Sequence, residues 1–230
     1  EDASHCIGGR YDGLPIGACP HSDICVFSFH PVKIITTAEG GLATTQDKAL
    51  ADLMGLYRSH GVTRDPDLMA RKHAEPWEYD QVALGLNYRM TEMQAALGVT
   101  QAARLDDFIA HRHKMARRYD AALADLPLIL PWQNPDSHSA LHLYPILIDT
   151  DKTNRTRREV FDHMRAANIG VNVHYQPVHT QPYYLSLGFR PGDFPVSEWV
   201  YARALSIPLY HGLTEAMQDR VIAALGDALR

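Results

Sequence analysis

Apolar and polar positions along the chain predict strands first and helices later. The run "DICVFSF" (23–29) is short, apolar and β-rich, which favours a buried strand. "GGLATT" (40–45) predicts a second strand, whose glycines allow close backbone approach. A helix is predicted from about Asp47 to Tyr57. Residues 62–80 are polar and contain proline, which predicts a long surface loop.

The clearest helix start in the chain is a capping box, in which Thr91 is followed three residues later by Gln94. Apolar residues then recur at helical spacing and predict a helix, continuous or broken, that runs as far as Leu126. These residues are Met93, Leu97, Leu105, Phe108, Ile109, Tyr119 and Leu123. A helix of that length indicates an element that links two domains or two subunits.

The pattern changes at Pro127. A strand is predicted over residues 141–149, and a helix from Thr156 to Ala167 with Val160, Phe161 and Met164 inward.

The last third of the chain continues this mixed pattern. Residues 171–184 predict a strand that runs into an aromatic, histidine-rich loop. Two amphipathic helices are predicted over 192–205 and 214–229, with Thr214 as the N-cap of the second. The whole pattern predicts an α/β layer, residues 1–126, followed by a smaller α+β domain, residues 127–230.

Composition excludes some classes of function. The chain has 230 residues, 46% of them hydrophobic and 21% charged, as in a globular protein with a core. Its net charge of −5 argues against an electrostatic nucleic-acid partner. No apolar run reaches the ~18–20 residues of a membrane span, so no membrane association is expected. Three scattered cysteines indicate reduced thiols and a cytoplasmic location.

One lysine stands out in "FSFHPVKIITTAEGG" (27–41), because Val32, Ile34 and Ile35 flank Lys33. A lysine drawn into an apolar site can lose its proton near neutral pH, as an amine that attacks carbonyls must. The alternative is a lysine that ends a strand and extends its ammonium into water. The flanking residues alone leave both interpretations open.

A metal site is a weaker possibility. His5, Cys6, Cys19, His21 and Cys25 supply ligand types, but their spacing fits no C-x-x-C pair. No metal site is therefore predicted.

Five ordered motifs give a more specific indication: "EDASH", "SFHPVKIITTAEGG", "RSHG", "GLNYRMTEMQAALG" and "HYQPVH". With these motifs the chain resembles the DegT/DnrJ/EryC1/StrS family of sugar aminotransferases over nearly all of its length. The resemblance implies an α/β fold of the aspartate aminotransferase type (fold type I), with pyridoxal 5′-phosphate (PLP) as cofactor. It implies that residues 1–126 are the C-terminal part of a PLP-binding large domain, N-terminally incomplete, and that 127–230 are the small domain.

The same resemblance implies roles for individual residues. Lys33 would be the Schiff-base lysine and Asp2 the carboxylate that keeps the cofactor's ring nitrogen protonated. Ser28 would bind the cofactor phosphate, and His5 would lie beside the phenolic oxygen. Asn87 would reach the phosphate held by a neighbouring subunit. Taken singly, Asp2 could be a loop residue, Ser28 a turn cap and Asn87 a left-handed turn residue.

Substrate contacts are less clearly indicated. His174, Tyr175 and His179 could line a sugar-nucleotide entrance or pack a domain boundary. Arg58 and His60 could lie near the rim of the site, but no spacing argument assigns them.

The resemblance further implies small-molecule substrates, glutamate and a UDP-linked 4-keto-6-deoxy sugar aminated at C4, and a homodimer with shared sites. Two alternatives stay open. One is a non-catalytic relative, a remnant or regulator without a complete cofactor site. The other is an unrelated carbohydrate-binding α/β module.

Overall fold

A computed structural model of the chain describes residues 1–71 and 75–230. The chain divides into two compact units, Glu1–Leu105 with Asp136–Ser139, and Asp106–Pro135 with Ala140–Arg230. No helix within these described ranges combines the length and the apolar character that crossing a bilayer requires.

The first unit consists of short strands and two helices. Its elements are β1 (Arg10–Tyr11), β2 (Leu14–Pro15), β3 (Cys25–Ser28), β4 (Gly41–Thr44), α1 (Lys48–Arg58), β5 (Val62–Thr63), β6 (Asp80–Gln81), α2 (Glu92–Ala102) and β8 (Ser137–His138). Strands β1, β2 and β8 form one antiparallel sheet in the order β2-β1-β8, while β3 pairs with β4 and β5 with β6.

The pairing of β3 with β4 positions the segment of most interest. Cys25 lies opposite Thr44 and Ser28 opposite Gly41. Because side chains alternate along a strand, Cys25 and Phe27 point to one side, where they pack in a small core with Ala3 and Cys19. Both strands predicted in this region are therefore confirmed, and so is the helix that follows them as α1.

The second unit has its own sheet and helices. Its elements are α3 (Leu105–Leu123), β7 (Leu128–Ile129), β9 (Tyr144–Ile148), α4 (Arg157–Ala166), α5 (Pro182–Ser186), α6 (Pro195–Arg203), β10 (Ala204–Ile207) and α7 (Glu215–Leu229), with a short 3-10 turn over Val178–Thr180. The antiparallel sheet has the order β10-β9-β7. Its core combines strand residues such as Ile146 with helix residues such as Tyr119, Val160 and Leu225.

The helix starts predicted at Thr91 and Thr156 are confirmed. Thr91 and Gln94 form a full capping box at α2, and Thr156 forms another with Glu159 at α4. The long helical pattern is broken at residues 103–104, so that it forms α2 and α3 rather than one rod.

The division between the units lies at Leu105, earlier than the predicted boundary at 126. The reason is that the buried face of α3, which includes Met115, Tyr119 and Leu123, belongs to the core of the second unit. The assignment of the two parts to a PLP-binding domain and a small domain stays a prediction.

One element prediction in the second unit was wrong, and one helix, confirmed as α6, is shorter than predicted. Residues 171–184 form no strand beyond a single bridge between Asn172 and Ser206, and continue as the 3-10 turn and α5. The helix predicted over 192–205 ends at Arg203, because the next four residues form β10, which is buried throughout and paired with β9. A run of four residues that are all buried has no period that separates strand from helix.

The loop predicted over 62–80 is closed at both ends by the short β5–β6 pair. Residues 72–74 of that loop lie outside the described residues.

Candidate active site

The first predicted cofactor residue, Asp2, lies beside β3. Backbone hydrogen bonds join Ala3 N to the Val26 carbonyl oxygen (2.8 Å) and Val26 N to the Glu1 carbonyl oxygen (2.9 Å), so that Asp2 pairs in parallel with Val26. Ser28 lies two residues further along the same strand. Since side chains two apart on a strand share a face, Val26 and Ser28 lie on the face opposite the small core.

The Asp2 carboxylate is held in its charged form by its neighbours. Oδ1 accepts hydrogen bonds from the Ser4 hydroxyl (2.6 Å) and from Ser4 N (3.0 Å). These two bonds lower the pKa of Asp2, burial opposes them, and the charges of His5 and Lys33 lower the pKa further. Asp2 is therefore an anionic acceptor at neutral pH, and His5 and Lys33 are close enough to influence it.

Ser28 ends β3 at the point where the chain leaves the strand. Its hydroxyl oxygen accepts a hydrogen bond from His30 N (3.4 Å). A hydroxyl group that accepts one bond still has its proton to donate. Ser28 can therefore donate to an anion on the same face of the strand as Asp2.

Lys33 lies on the connection between β3 and β4. The turn that carries it is fixed by Lys33 N donating to the His30 carbonyl oxygen (2.9 Å) and by Thr37 N donating to the Phe29 carbonyl oxygen (3.0 Å). The Lys33 side chain is half-buried. No hydrogen-bond or ion-pair partner of its Nζ atom lies in the described part of the chain, so the amine is available for chemistry.

The flanks of Lys33 differ from the sequence prediction on one side. Ile34 and Ile35 are buried as expected, but Val32 is 63% exposed because it lies at the outer bend of the turn. Lys33 therefore has buried apolar residues only on its C-terminal side. The two isoleucines anchor the loop, and Lys33 remains accessible to a ligand.

Asn87 lies elsewhere in the first unit. Asn87 is exposed and lies four residues before Thr91, the N-cap of α2. It forms an antiparallel bridge with Ser59, the residue that follows α1. Asp2, His5, Ser28 and Lys33 are thus grouped around β3, whereas Asn87 is held by a different pair of segments.

The three predicted substrate residues belong to the second unit and have different environments. Tyr175 is 63% exposed. His174 Nδ1 lies 2.8 Å from the Ser206 hydroxyl. His179 is buried, and its Nε2 lies 2.8 Å from Glu198 Oε1. His179 therefore supports the loop, whereas Tyr175 is open to a ligand.

Sequence reasoning missed Ser4 and Glu198. Ser4 could have been found from the D-x-S pattern, which allows an aspartate to bind the backbone and side chain two residues on. No local pattern predicts Glu198, which meets its partner across nineteen positions. Its Oε1 also accepts a hydrogen bond from Gly192 N (2.6 Å), and the bonds from His179 and Gly192 lower the pKa of Glu198.

The cysteines that prompted a metal hypothesis have another explanation. Burial raises the pKa of the Cys25 thiol to about 11 and also raises that of Cys6, so neither is readily the thiolate that a metal needs. All three cysteines are free. Within residues 1–71 and 75–230, no three His, Cys, Asp or Glu side chains are arranged to hold a metal ion.

Comparisons with known proteins agree with the motifs. The model of the DegT/DnrJ/EryC1/StrS aminotransferase family matches residues 1–226. The spore coat polysaccharide biosynthesis protein SpsC of Bacillus subtilis is 36% identical over 233 residues, which cover 100% of this chain and 59% of SpsC.

Solved structures give the same fold. The PLP form of Spr1654 from Streptococcus pneumoniae superposes with a TM-score of 0.86 at 27% identity, covering 99% of this chain and 56% of that one. PseC of Helicobacter pylori, an aminotransferase involved in the biosynthesis of pseudoaminic acid, superposes with a TM-score of 0.87 at 28% identity. The match covers 99% of this chain and 58% of PseC. The predicted fold type I architecture is confirmed. The chain spans somewhat over half the length of these relatives.

Proposed function

Because this chain belongs to the DegT/DnrJ/EryC1/StrS aminotransferase family, we propose that it supplies the catalytic lysine and much of the cofactor site of a sugar aminotransferase. Aminotransferases of this family use PLP. The observation that carries the proposal is the grouping around β3 of an anionic Asp2, a Ser28 hydroxyl with a proton to donate and a Lys33 amine without a partner in the described chain.

Each of these groups fits one part of the cofactor. When bound, PLP supplies an electron sink that stabilises negative charge at the carbon attached to the transferred nitrogen. Asp2, which stays ionised, would hold a proton on the ring nitrogen. Ser28 would donate its hydroxyl proton to a phosphate oxygen, and His5 would lie near the phenolic oxygen. Lys33 would hold the cofactor covalently and move a proton between the two carbons that exchange the amino group.

We propose glutamate as amino donor and C4 of a UDP-linked 4-keto-6-deoxy sugar as acceptor. Similarity to PseC supports a nucleotide-sugar substrate, and similarity to SpsC supports a role in polysaccharide synthesis. The narrower proposal is the transaminase that makes UDP-4-amino-4,6-dideoxy-N-acetyl-β-L-altrosamine for pseudaminic acid. In this proposal the exposed Tyr175, with His174 beside it, contacts the sugar end, while His179 keeps their loop in place.

We also propose a homodimer to which Asn87 contributes across the interface. The support is that apolar side chains near Asn87 are exposed in the single chain, with Leu84 88% and Met93 83% accessible. Apolar surface of this kind beside a capped helix is typical of a protein interface. A cytoplasmic location is proposed from the three free thiols.

The decisive experiment is spectroscopic. PLP added to the chain should give a visible absorbance band that borohydride removes, with the cofactor then fixed to Lys33 in a peptide map. Lys33→Ala should abolish the band and the adduct. Lys48→Ala is the matched control, because Lys48 is exposed and pairs with Asp52 in the next turn of α1.

A band that survives Lys33→Ala would refute the assignment of the lysine. The family match already excludes the unrelated carbohydrate-binding module, so absence of any band in the unmodified chain would favour the non-catalytic relative. If the band forms, glutamate with a panel of UDP- and dTDP-linked keto sugars tests the substrate. Amination of dTDP sugars alone would refute the UDP proposal.

A further inference from the structure

Gln94 joins helix α2 to the loop that carries Lys33. Its Oε1 atom accepts hydrogen bonds from Thr91 N (2.9 Å) and from the Thr91 hydroxyl (3.0 Å), which belong to the capping box. Its Nε2 atom donates to the Glu39 carbonyl oxygen (3.0 Å), on the connection between β3 and β4. A capping box needs only an acceptor at this position, and glutamate supplies one as well as glutamine does. The bond to Glu39 is therefore a second role that the helix cap does not require.

Two close contacts accompany this bond. A Cβ atom added to Gly98, one turn further along α2, would lie 2.8 Å from Thr37 Cγ2. A Cβ atom added to Gly40 would lie 2.7 Å from Cε of Met90, which comes just before the N-cap. The start of α2 and the Lys33 loop therefore meet with no space for another methyl group between them.

Thr37 connects these contacts to the turn around Lys33. It is only 2% exposed, and its hydroxyl donates to the same Glu39 carbonyl oxygen (2.9 Å) that Gln94 binds. Its backbone N donates to the Phe29 carbonyl oxygen (3.0 Å), across the base of the turn. A buried β-branched side chain that is bonded in this way has little freedom to change its rotamer. A change at the surface of α2 should therefore move the turn itself.

We propose that α2 braces the Lys33 loop, and that Gln94 is a positioning residue that acts on Lys33 through Glu39 and Thr37. An amine that must form a bond with a carbonyl carbon has to be presented at a fixed position, because small displacements of a reacting group are costly. The importance of the lysine rests on the function proposed above, whereas the brace depends only on the contacts of α2.

Amide hydrogen exchange in the chain without cofactor tests the brace. Gln94→Glu keeps the acceptor of the capping box and removes the donor to the Glu39 carbonyl oxygen. The amides of Phe29 and Thr37, which bond across the base of the loop, should exchange about tenfold faster, as expected for the loss of one hydrogen bond. Amides in the middle of α2 should stay within about twofold, because the cap is retained.

Gln81→Glu is the matched control. Gln81 Nε2 also donates to a backbone carbonyl oxygen, that of His60 (3.1 Å), but at the β5–β6 pair. This control should leave the exchange of Phe29 and Thr37 within about twofold. Equal acceleration in Gln81→Glu would overturn the proposal, because the effect would then be general, and so would unchanged exchange in Gln94→Glu.

Gly98→Ala tests the packing contact. Alanine is the better helix former, so a purely helical role for Gly98 predicts slower exchange throughout. The brace predicts exchange at Thr37 that is about tenfold faster, because the added methyl group displaces Thr37 Cγ2. Thr37→Ser removes that methyl group and keeps the hydroxyl, so Gly98→Ala should have no further effect in this background. Acceleration that persists there undiminished would overturn the proposal.

A second readout connects the brace to the lysine. The affinity for PLP, measured from the Lys33-dependent absorbance band, should fall about tenfold in Gln94→Glu and stay within about twofold in Gln81→Glu. Faster loop exchange with an unchanged affinity would overturn the role of Gln94 in positioning Lys33.

These outcomes are distinct from failure of the proposed function. A chain that forms the band, but whose loop exchange is unaffected by Gln94→Glu and Gly98→Ala, retains its proposed reaction and loses the brace. A chain whose loop exchange responds as predicted, but which forms no band, retains the brace and loses the reaction.

Discussion

Arg112 offers the sharpest test of how the second unit is stabilised. It lies on α3 and is only 5% exposed. Its Nη1 donates to three backbone carbonyl oxygens, those of Leu141 (3.1 Å), His142 (3.1 Å) and Leu209 (2.8 Å). No carboxylate of the described chain pairs with it. The guanidinium therefore joins α3 to two loops entirely through backbone acceptors.

The contribution of Arg112 to the free energy of unfolding is the difference between a desolvation cost and the gain from its hydrogen bonds. Burial lowers the pKa of Arg112 to about 10, which corresponds to roughly 3 kcal/mol spent on keeping the charge out of water. Hydrogen bonds from a charged donor contribute about 1.5–3 kcal/mol each, and here two hydrogens serve three acceptors. Two such bonds contribute about 3–6 kcal/mol, so they exceed the desolvation cost by at most about 3 kcal/mol. Arg112→Met also leaves buried carbonyl oxygens without a donor, at about 1–3 kcal/mol each, so the variant should destabilise the fold by roughly 3 kcal/mol.

Urea unfolding followed by far-ultraviolet circular dichroism measures this loss. With a slope of about 2 kcal/mol per molar, the midpoint should fall by about 1.5 M. Arg117→Met on the same helix is the control, because Arg117 is exposed, and it should change stability by less than about 0.5 kcal/mol. If Arg112→Met also stays within about 0.5 kcal/mol, water must satisfy the three carbonyls and the reasoning fails.

Three further predictions concern the first unit. Cys25 is fully buried with a thiol pKa near 11, so at pH 8 about one molecule in a thousand carries the thiolate, and iodoacetamide should label Cys6 well before Cys25. Ser4→Ala should raise the pKa of Asp2, which a carbon NMR titration of the carboxyl group measures. Because folding lowers this pKa, the stability that Asp2 contributes is present above its unfolded pKa. That stability is lost as the pH falls through the folded pKa. Gly85→Ala should cost at least about 2 kcal/mol in urea unfolding, because its Cβ atom meets backbone rather than a movable side chain.

Elements with a local signal could be predicted from the sequence. The Thr91 capping box and the helix start at Thr156 lie where they were predicted, because the cap, its partner and the first helical turn are all within four residues. Strand β10 could not be predicted, since its four residues are a strand only because β9 lies beside them. The same applies to the turn at Val178–Thr180, which formed within the segment predicted as a strand that runs into a loop.

The candidate site shows the same limit. The neighbourhood of Asp2 and Lys33 could be anticipated, because both lie within a few residues of one strand. The burial of His179 against Glu198 could not, because the pair joins a turn to a helix across an intervening loop. The exposure of Val32 could not be predicted either, because a run of apolar residues does not show which side of a turn faces solvent.

The two units differ in how completely they bury their own apolar residues. Helices α3, α4 and α7 of the second unit close around its sheet, whereas α2 of the first unit buries none of its residues. An eleven-residue helix is marginal in water without a packed face, even with a full capping box. A partner surface over α2 would supply that face. Because Asn87 lies just before α2, the partner in the proposed homodimer would cover the segment that carries Asn87 as well. Assembly and cofactor binding at Asn87 would then stabilise each other, because each would order the same backbone.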